Sequence, residues 1–316
     1  MMEQDAGGLV EGTFTTGSDT LTDASSMSPL AASLVRQPRR NSIWKAIVRQ
    51  RLALTGIILV AFFGLIALIG PYIAPHGKTE QFSGERLKPP SREFLLGTDE
   101  FGRDVFSRLL YGARISFEVG FIVVGIAATF GVLMGIIAGY RGGWTDNIIS
   151  LLSDIIFAFP AVLLAIAVIT MLGNNLTNAI LAISLVYIPP FVRIVRGSTL
   201  TVRSTAYVEA ARSIGVSTPR MLTRHIFPNI TAPLIVQASI AFALAILSEA
   251  ALAFLGLGNK APEPSWGSMV SGSYGYLQIS AWPAIAPGVA IALTVLGFNL
   301  LGDGLRDALD PRLRNL

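Results

Sequence analysis

The chain has no cysteine and only two histidines, His76 and His225. The first absence excludes disulfides, thiol catalysis and thiolate metal sites. The second excludes a histidine-rich metal site. Charge is also scarce: 14% of the 316 residues are Asp, Glu, Lys or Arg, where a soluble domain carries about 25%. Hydrophobic residues make up 52%, and mean hydropathy is +0.59, so lipid is the main solvent. Catalytic signatures are missing as well. No G-x-x-x-x-G-K followed by Ser or Thr is present to cradle ATP phosphates, and there is no H-E-x-x-H or G-x-S-x-G. The chain reads as a conduit rather than an enzyme, and no cofactor is expected in it.

What the sequence does hold is six apolar runs, near 52–74, 116–139, 147–171, 177–198, 230–256 and 283–302. Each is about long enough to cross a ~30 Å hydrocarbon core. The expected fold is all-α, a polytopic bundle of six membrane helices. Residues 1–38, rich in Gly, Ser, Thr and Asp, read as a disordered cytoplasmic tail. Residues 39–51 form a basic juxtamembrane segment with Arg39, Arg40, Lys45, Arg49 and Arg51, and the permease-like body runs from 52 to 316. Net charge is +4, and these basic residues abut a membrane span, so the positive-inside rule accounts for them better than nucleic acid does. That rule puts the N-terminus in the cytoplasm, and six spans return the C-terminus there. The 75–115 loop then lies outside, although it carries seven Lys or Arg beside six Asp or Glu. The 199–229 loop lies inside.

Prolines and glycines punctuate the runs. Pro160 is expected to break the third and Pro189-Pro190 the fourth. Gly125, Gly131, Gly135 and Gly139 suit close helix packing. Glu118, Asp154 and Glu249 fall inside or at the edge of spans, where a charge costs about 2.5–3.5 kcal/mol and must face the bundle, a partner or water. Asp154 and Glu249 are candidates for bordering a translocation path, against the plainer reading of a buried structural pair. Glu118 needs no special role.

The 199–229 loop is charged and helix-forming. Ala206–Ile214 reads as a short helix with Ser204 or Thr205 as N-cap and Gly215 just past its end. Ser217-Thr218-Pro219 starts a second helix. Glu209 offers a charge, and Ala210 and Ala211 are small enough for another surface to approach. Glu209-Ala210-Ala211, with Arg212, Gly215 and Ile226-Phe227-Pro228 at their offsets, resembles the EAA loop of ABC importer permeases, which docks in a groove of the ATPase subunit. Leu96-Gly97-Thr98-Asp99 and Gly102-Arg103-Asp104 resemble a signature of the dipeptide, oligopeptide and nickel permease group. So do Phe254 to Gly258 and the stretch Leu301 to Arg312, and together they point to its C-type member. From the residues alone, the first of these motifs is a turn leading into an amphipathic interfacial helix, with Arg103 and Asp104 in an ion network. The Leu301–Arg312 stretch is a short helix stopped by Pro311, in which Arg306 can pair with Asp303 or Asp310.

The resemblance implies a bacterial inner-membrane permease. Its partners would be a B-type sister permease, two ATPases carrying ATP and Mg, an external binding protein and membrane lipid, with no nucleic acid. Peptides are the expected cargo, with glutathione or nickel complexes as alternatives. An ion-coupled secondary transporter is the rival from another class.

Overall fold

In the computed structural model, residues 50–258 and 262–309 are described. The tail, most of the basic segment and Asp310-Pro311-Arg312 lie outside them. The described residues are helical apart from loops and one isolated bridge between Thr98 and Asp104. The helices are α1 (Arg51–Ile73), α2 (Val105–Arg141), α3 (Gly143–Phe157), α4 (Ala161–Leu172), α5 (Leu176–Arg203), α6 (Ala206–Ser213), α7 (Thr218–Arg220), α8 (Phe227–Phe254), α9 (Trp266–Ser273) and α10 (Trp282–Leu309). A π-helical segment, Met221–Ile226, joins α7 to α8.

Five unbroken helical runs, α1, α2, α5, α7 through α8 with the π-helical segment between them, and α10, are long and apolar enough to cross a membrane, and a sixth span exists if α3 and α4 count as one. Those two meet at 91° around Pro160, which is the N-cap of α4, so the expected break is there. The expected break at Pro189-Pro190 does not occur: α5 runs through both residues. The reason lies in its packing on α2. A Cβ added at Gly131 would stand 2.3 Å from Phe191 Cβ, one at Gly135 2.8 Å from the Val192 carbonyl, and one at Gly139 2.8 Å from the Arg196 carbonyl. This glycine groove holds the proline-bearing turn of α5. Gly125 meets nothing within 4 Å and has no part in it.

Two further boundaries differ from expectation. The interfacial helix and the second span are one helix of 37 residues. Likewise, residues 301–309 continue α10 instead of forming a separate helix. Gly302 and Gly304 are packing contacts there, with a Cβ at 304 falling 2.3 Å from Ala53 Cβ of α1. No ion pair forms between Asp303 and Arg306 among the described residues; Asp307 instead accepts from Gln50 Nε2 at 2.6 Å.

An aromatic cluster of Phe63, Phe117, Phe242, Trp266 and Phe298 ties α1, α2, α8, α9 and α10 together. Outside it, much of the bundle surface is apolar: Leu52, Phe62, Phe130, Leu151 and Leu163 are all more than half exposed. In water such a surface would aggregate; in lipid it is the expected outer face.

The 96–104 motif builds a cap on α2. Asp104 is the N-cap, accepting from Ser107 N (3.0 Å) and Ser107 Oγ (2.6 Å), and it stands 3.3 Å from His76 Nδ1. Arg103 pairs with Asp99 (2.7 Å) rather than with Asp104, and Arg108 reaches the same Asp99 oxygen at 3.4 Å. Gly97 and Gly102 have φ of +76° and +74°, and a Cβ at either would lie within about 2.5 Å of a carbonyl of the 82–90 turn. The motif is a folding element first.

Candidate functional site

The 199–229 loop folds into a small helix on a buried base. Alternating exposure along α6 splits it into two faces. Val208 and Ala211 point inward and join Val195, Met221, Ile226 and Ile230 in a compact cluster over the ends of α2, α5 and α8. Tyr207, Glu209, Ala210, Arg212 and Ser213 point outward, and Ile214 at the tip is 80% exposed. Of the two alanines, only Ala210 is open to an approaching surface; Ala211 is small because it packs inside.

Both ends of α6 are set by the sequence. Thr205 takes the N-cap position, but its hydroxyl donates to the Val202 carbonyl (2.6 Å) instead of capping the helix. At the C-terminus Gly215, φ +78°, donates to Arg212 O (3.0 Å), and Val216 N reaches Ala211 O (3.1 Å). That is a Schellman ending, which needs a left-handed residue at the glycine position. The guanidinium of the exposed Arg212 lies 5.7 Å from the Tyr140 ring at the end of α2. Arg203 donates to the Tyr140 carbonyl (2.8 Å) and caps that same end.

Pro228, in the first turn of α8, has no N–H to return to the turn before it. Just upstream the helix widens: Phe227 N bonds to Leu222 O, five residues back. The His225 carbonyl is taken by Asn229 Nδ2 at 2.7 Å and approached by Tyr207 Oη at 3.5 Å. Tyr207 thus links α6 directly to the π-helical segment. Sequence reasoning missed this segment; Pro228 is the signal that was there to read.

The two candidate path carboxylates have different fates. Asp154 is exposed and pairs with Arg193 at 3.1 Å, whose guanidinium lies over Phe157. Glu249 is 2% exposed. It is enclosed by α2, α8 and α9, with the Ser116 and Ser265 hydroxyls as its polar neighbours and no cation paired with it among the described residues. The loop and these two carboxylates therefore do not form one site.

The geometry is that of a polytopic membrane protein with a rigidly mounted, outward-facing helix between two spans. Residues 131–315 match the family described as binding-protein-dependent transport system inner membrane component, and residues 40–90 match the N-terminal membrane domain of oligopeptide transport permease C. The chain belongs to this family of inner-membrane permeases, and within it to the C-type dipeptide and oligopeptide permeases of ABC importers.

It is 46% identical over 272 residues to a dipeptide transport system permease protein DppC of Alkalihalophilus pseudofirmus, covering 86% of this chain and 90% of that one. It is 42% identical over 289 residues to a di/tripeptide transport system permease protein DppC of Pseudomonas aeruginosa, covering 90% and 95%. A glutathione transport system permease protein GsiD of Pectobacterium atrosepticum is 42% identical over 282 residues, covering 89% and 93%. Among solved structures, an inward-facing MetNI methionine ABC transporter chain aligns with a TM-score of 0.54 at 18% identity, covering 64% of this chain and 97% of that one. The last likeness shows a shared fold.

Proposed function

We propose that this chain is a membrane subunit of an ATP-driven importer that carries short peptides inward, and that α6 is the lever through which partner ATPases move it. The observation that carries this is the split of α6. Glu209, Ala210, Arg212 and Ile214 face out, while Val208 and Ala211 lock the helix to the ends of three spans. A partner that grips the outer face moves the spans through the inner one. The path then opens alternately to the two sides.

The supporting relatives are named for dipeptides, di/tripeptides and glutathione, all of them peptides. Glutathione itself is the second reading, on the strength of the GsiD match. The partners would be a B-type sister permease, two ATPases that hold ATP and Mg, and an external binding protein. Both chain ends and α6 would lie in the cytoplasm.

The test is a gentle-detergent pull-down of the tagged chain from its native membrane. Recovery of a second permease and P-loop ATPases, with the ATPases lost on Glu209→Lys, supports the coupling role. Recovery of the folded chain alone overturns it and favours an ion-coupled transporter.

A further inference from the structure

Arg114 and Glu118 stand four residues apart on the exposed face of α2. At that spacing an Arg and a Glu can pair along a helix. Here they do not, and among the described residues neither makes an ion pair or a side-chain hydrogen bond.

Their depth makes this informative. α1 has 23 residues, about 34 Å at 1.5 Å per residue, so its end marks the membrane edge. Tyr72 is 81% exposed there, as an interfacial aromatic would be. Gly70 lies against Leu110, the Cβ site 3.0 Å from its carbonyl. Arg114 is one turn and Glu118 two turns further in. A carboxylate at that depth is costly against lipid tails and belongs beside water or an ionic partner.

Two clefts meet at the pair. One, of about 960 Å³, runs between α1 and α2 and is otherwise apolar, with Leu65, Leu68 and Phe121 in its wall. The other, of about 300 Å³, is bordered by Tyr111 and by Lys78 and Glu263, which pair with each other. Arg114 and Glu118 line both.

We infer that this pair receives the zwitterionic backbone of a short peptide on its way in, with the α-carboxylate on Arg114 and the α-ammonium on Glu118. The inference rests on the peptide reading above. Arg suits a carboxylate because its fork matches the two oxygens. The apolar cleft beside it takes side chains of varied shape without reading them. A zwitterionic phospholipid fits less well. Its ammonium lies outside its phosphate, whereas here the group that takes an ammonium, Glu118, is the deeper of the two.

This chain has no native cysteine, so a thiol introduced into it can be followed on its own band in the complete importer in proteoliposomes. Dialanine uptake by the unaltered complex is measured first; its absence would remove the cargo reading itself. Then Ile115→Cys, at a position that borders the smaller cleft and keeps both charges, is labelled from outside with a charged, membrane-impermeant thiosulfonate. Labelling is expected to proceed. Dialanine with the binding protein, at ten times the half-saturating concentration, is expected to slow it about tenfold. Adding Glu118→Gln or Arg114→Gln should abolish that protection while leaving labelling intact. If the introduced thiol does not label in the assembled importer, lipid or the sister permease covers the face and the inference fails. It fails equally if dialanine gives no protection, or if protection survives both charge removals.

Discussion

The backbone of α2 at Gly131 lies so close to Phe191 of α5 that an added Cβ would stand 2.3 Å from the Phe191 Cβ. One methyl group would force the two helices apart at the turn where α5 carries Pro189 and Pro190. Gly131→Ala should therefore destabilise the bundle by about 1–3 kcal/mol, the usual cost of overpacking. Gly125→Ala, where nothing lies within 4 Å, should be neutral or slightly favourable. Thermal unfolding of the two variants in one detergent checks the contrast. Equal shifts would mean that the groove does not hold the pair.

That groove shows what was legible beforehand. Gly131, Gly135 and Gly139 could be picked out as a close-packing stripe because glycine every fourth residue in an apolar run has little other use. Gly125 sits in the same run but faces open space, since a face is fixed only once the partner helix is known. Pro189 and Pro190 misled for a related reason. A lost backbone bond breaks a helix only if nothing else holds the turn. Pro160 has no such groove against it, while Pro189 and Pro190 have α2. The outer face of α6 was readable from its caps and charges. Its buried face was not, because Val195, Met221 and Ile230 come from different elements.

Asp99 holds two arginines, Arg103 at 2.7 Å and Arg108 at 3.4 Å, and all three side chains are buried. Removing the acid leaves two buried cations. Asp99→Ala should cost about 3–5 kcal/mol, as breaking a buried pair does. A drop in folded yield and melting temperature is the readout, and a near-native melting temperature would refute the network.

Its neighbour Glu100 should behave in the opposite way. Burial pushes the Glu100 carboxyl above its ordinary value of 4.5, with Asp99 adding to the rise while its own backbone hydrogen bond, Arg103 and Arg108 pull against it. A carboxyl raised on folding favours the folded state below its ordinary value, and this contribution is lost as pH climbs through the raised one. Glu100→Gln removes that loss. The variant should melt higher than the parent at neutral pH, with the gap closing as pH falls to about 4.5. A gap that widens on acidification would mean that the pair with Arg103, 3.6 Å away, outweighs burial.

On α6, stability and coupling should separate by face. Ile214→Asp changes an 80% exposed side chain and should leave melting unchanged while ATPase association falls. Val208→Asp puts a charge into the buried base and should lower both. Gly215→Ala falls between, because a non-glycine residue at φ +78° costs about 1–2 kcal/mol. Pull-down and melting measured on the same preparations separate the three. Full ATPase association by the Ile214 variant would place the grip elsewhere on the loop.

Glu249 poses the sharpest choice between structure and transport. Its carboxyl is enclosed by α8 with α2 and α9, with the Ser116 and Ser265 hydroxyls beside it and no cation paired with it among the described residues. An ionised carboxylate enclosed without a cation is a burden on the fold. Glu249→Gln keeps the volume and removes the charge, so it should match or exceed the parent in stability. Glu249→Ala also empties the space beside the close contact of Gly267 with Ala250. It should cost about 2–5 kcal/mol, as large-to-small core changes do. Uptake separates the roles. If the carboxylate only fills the core, the Gln variant transports at the parental rate. If a motion of α9 exposes it to a passing ammonium, the Gln variant stays folded and assembled but loses uptake. The closed packing around Trp266, 1% exposed and donating to the Leu109 carbonyl at 3.1 Å, favours the first result.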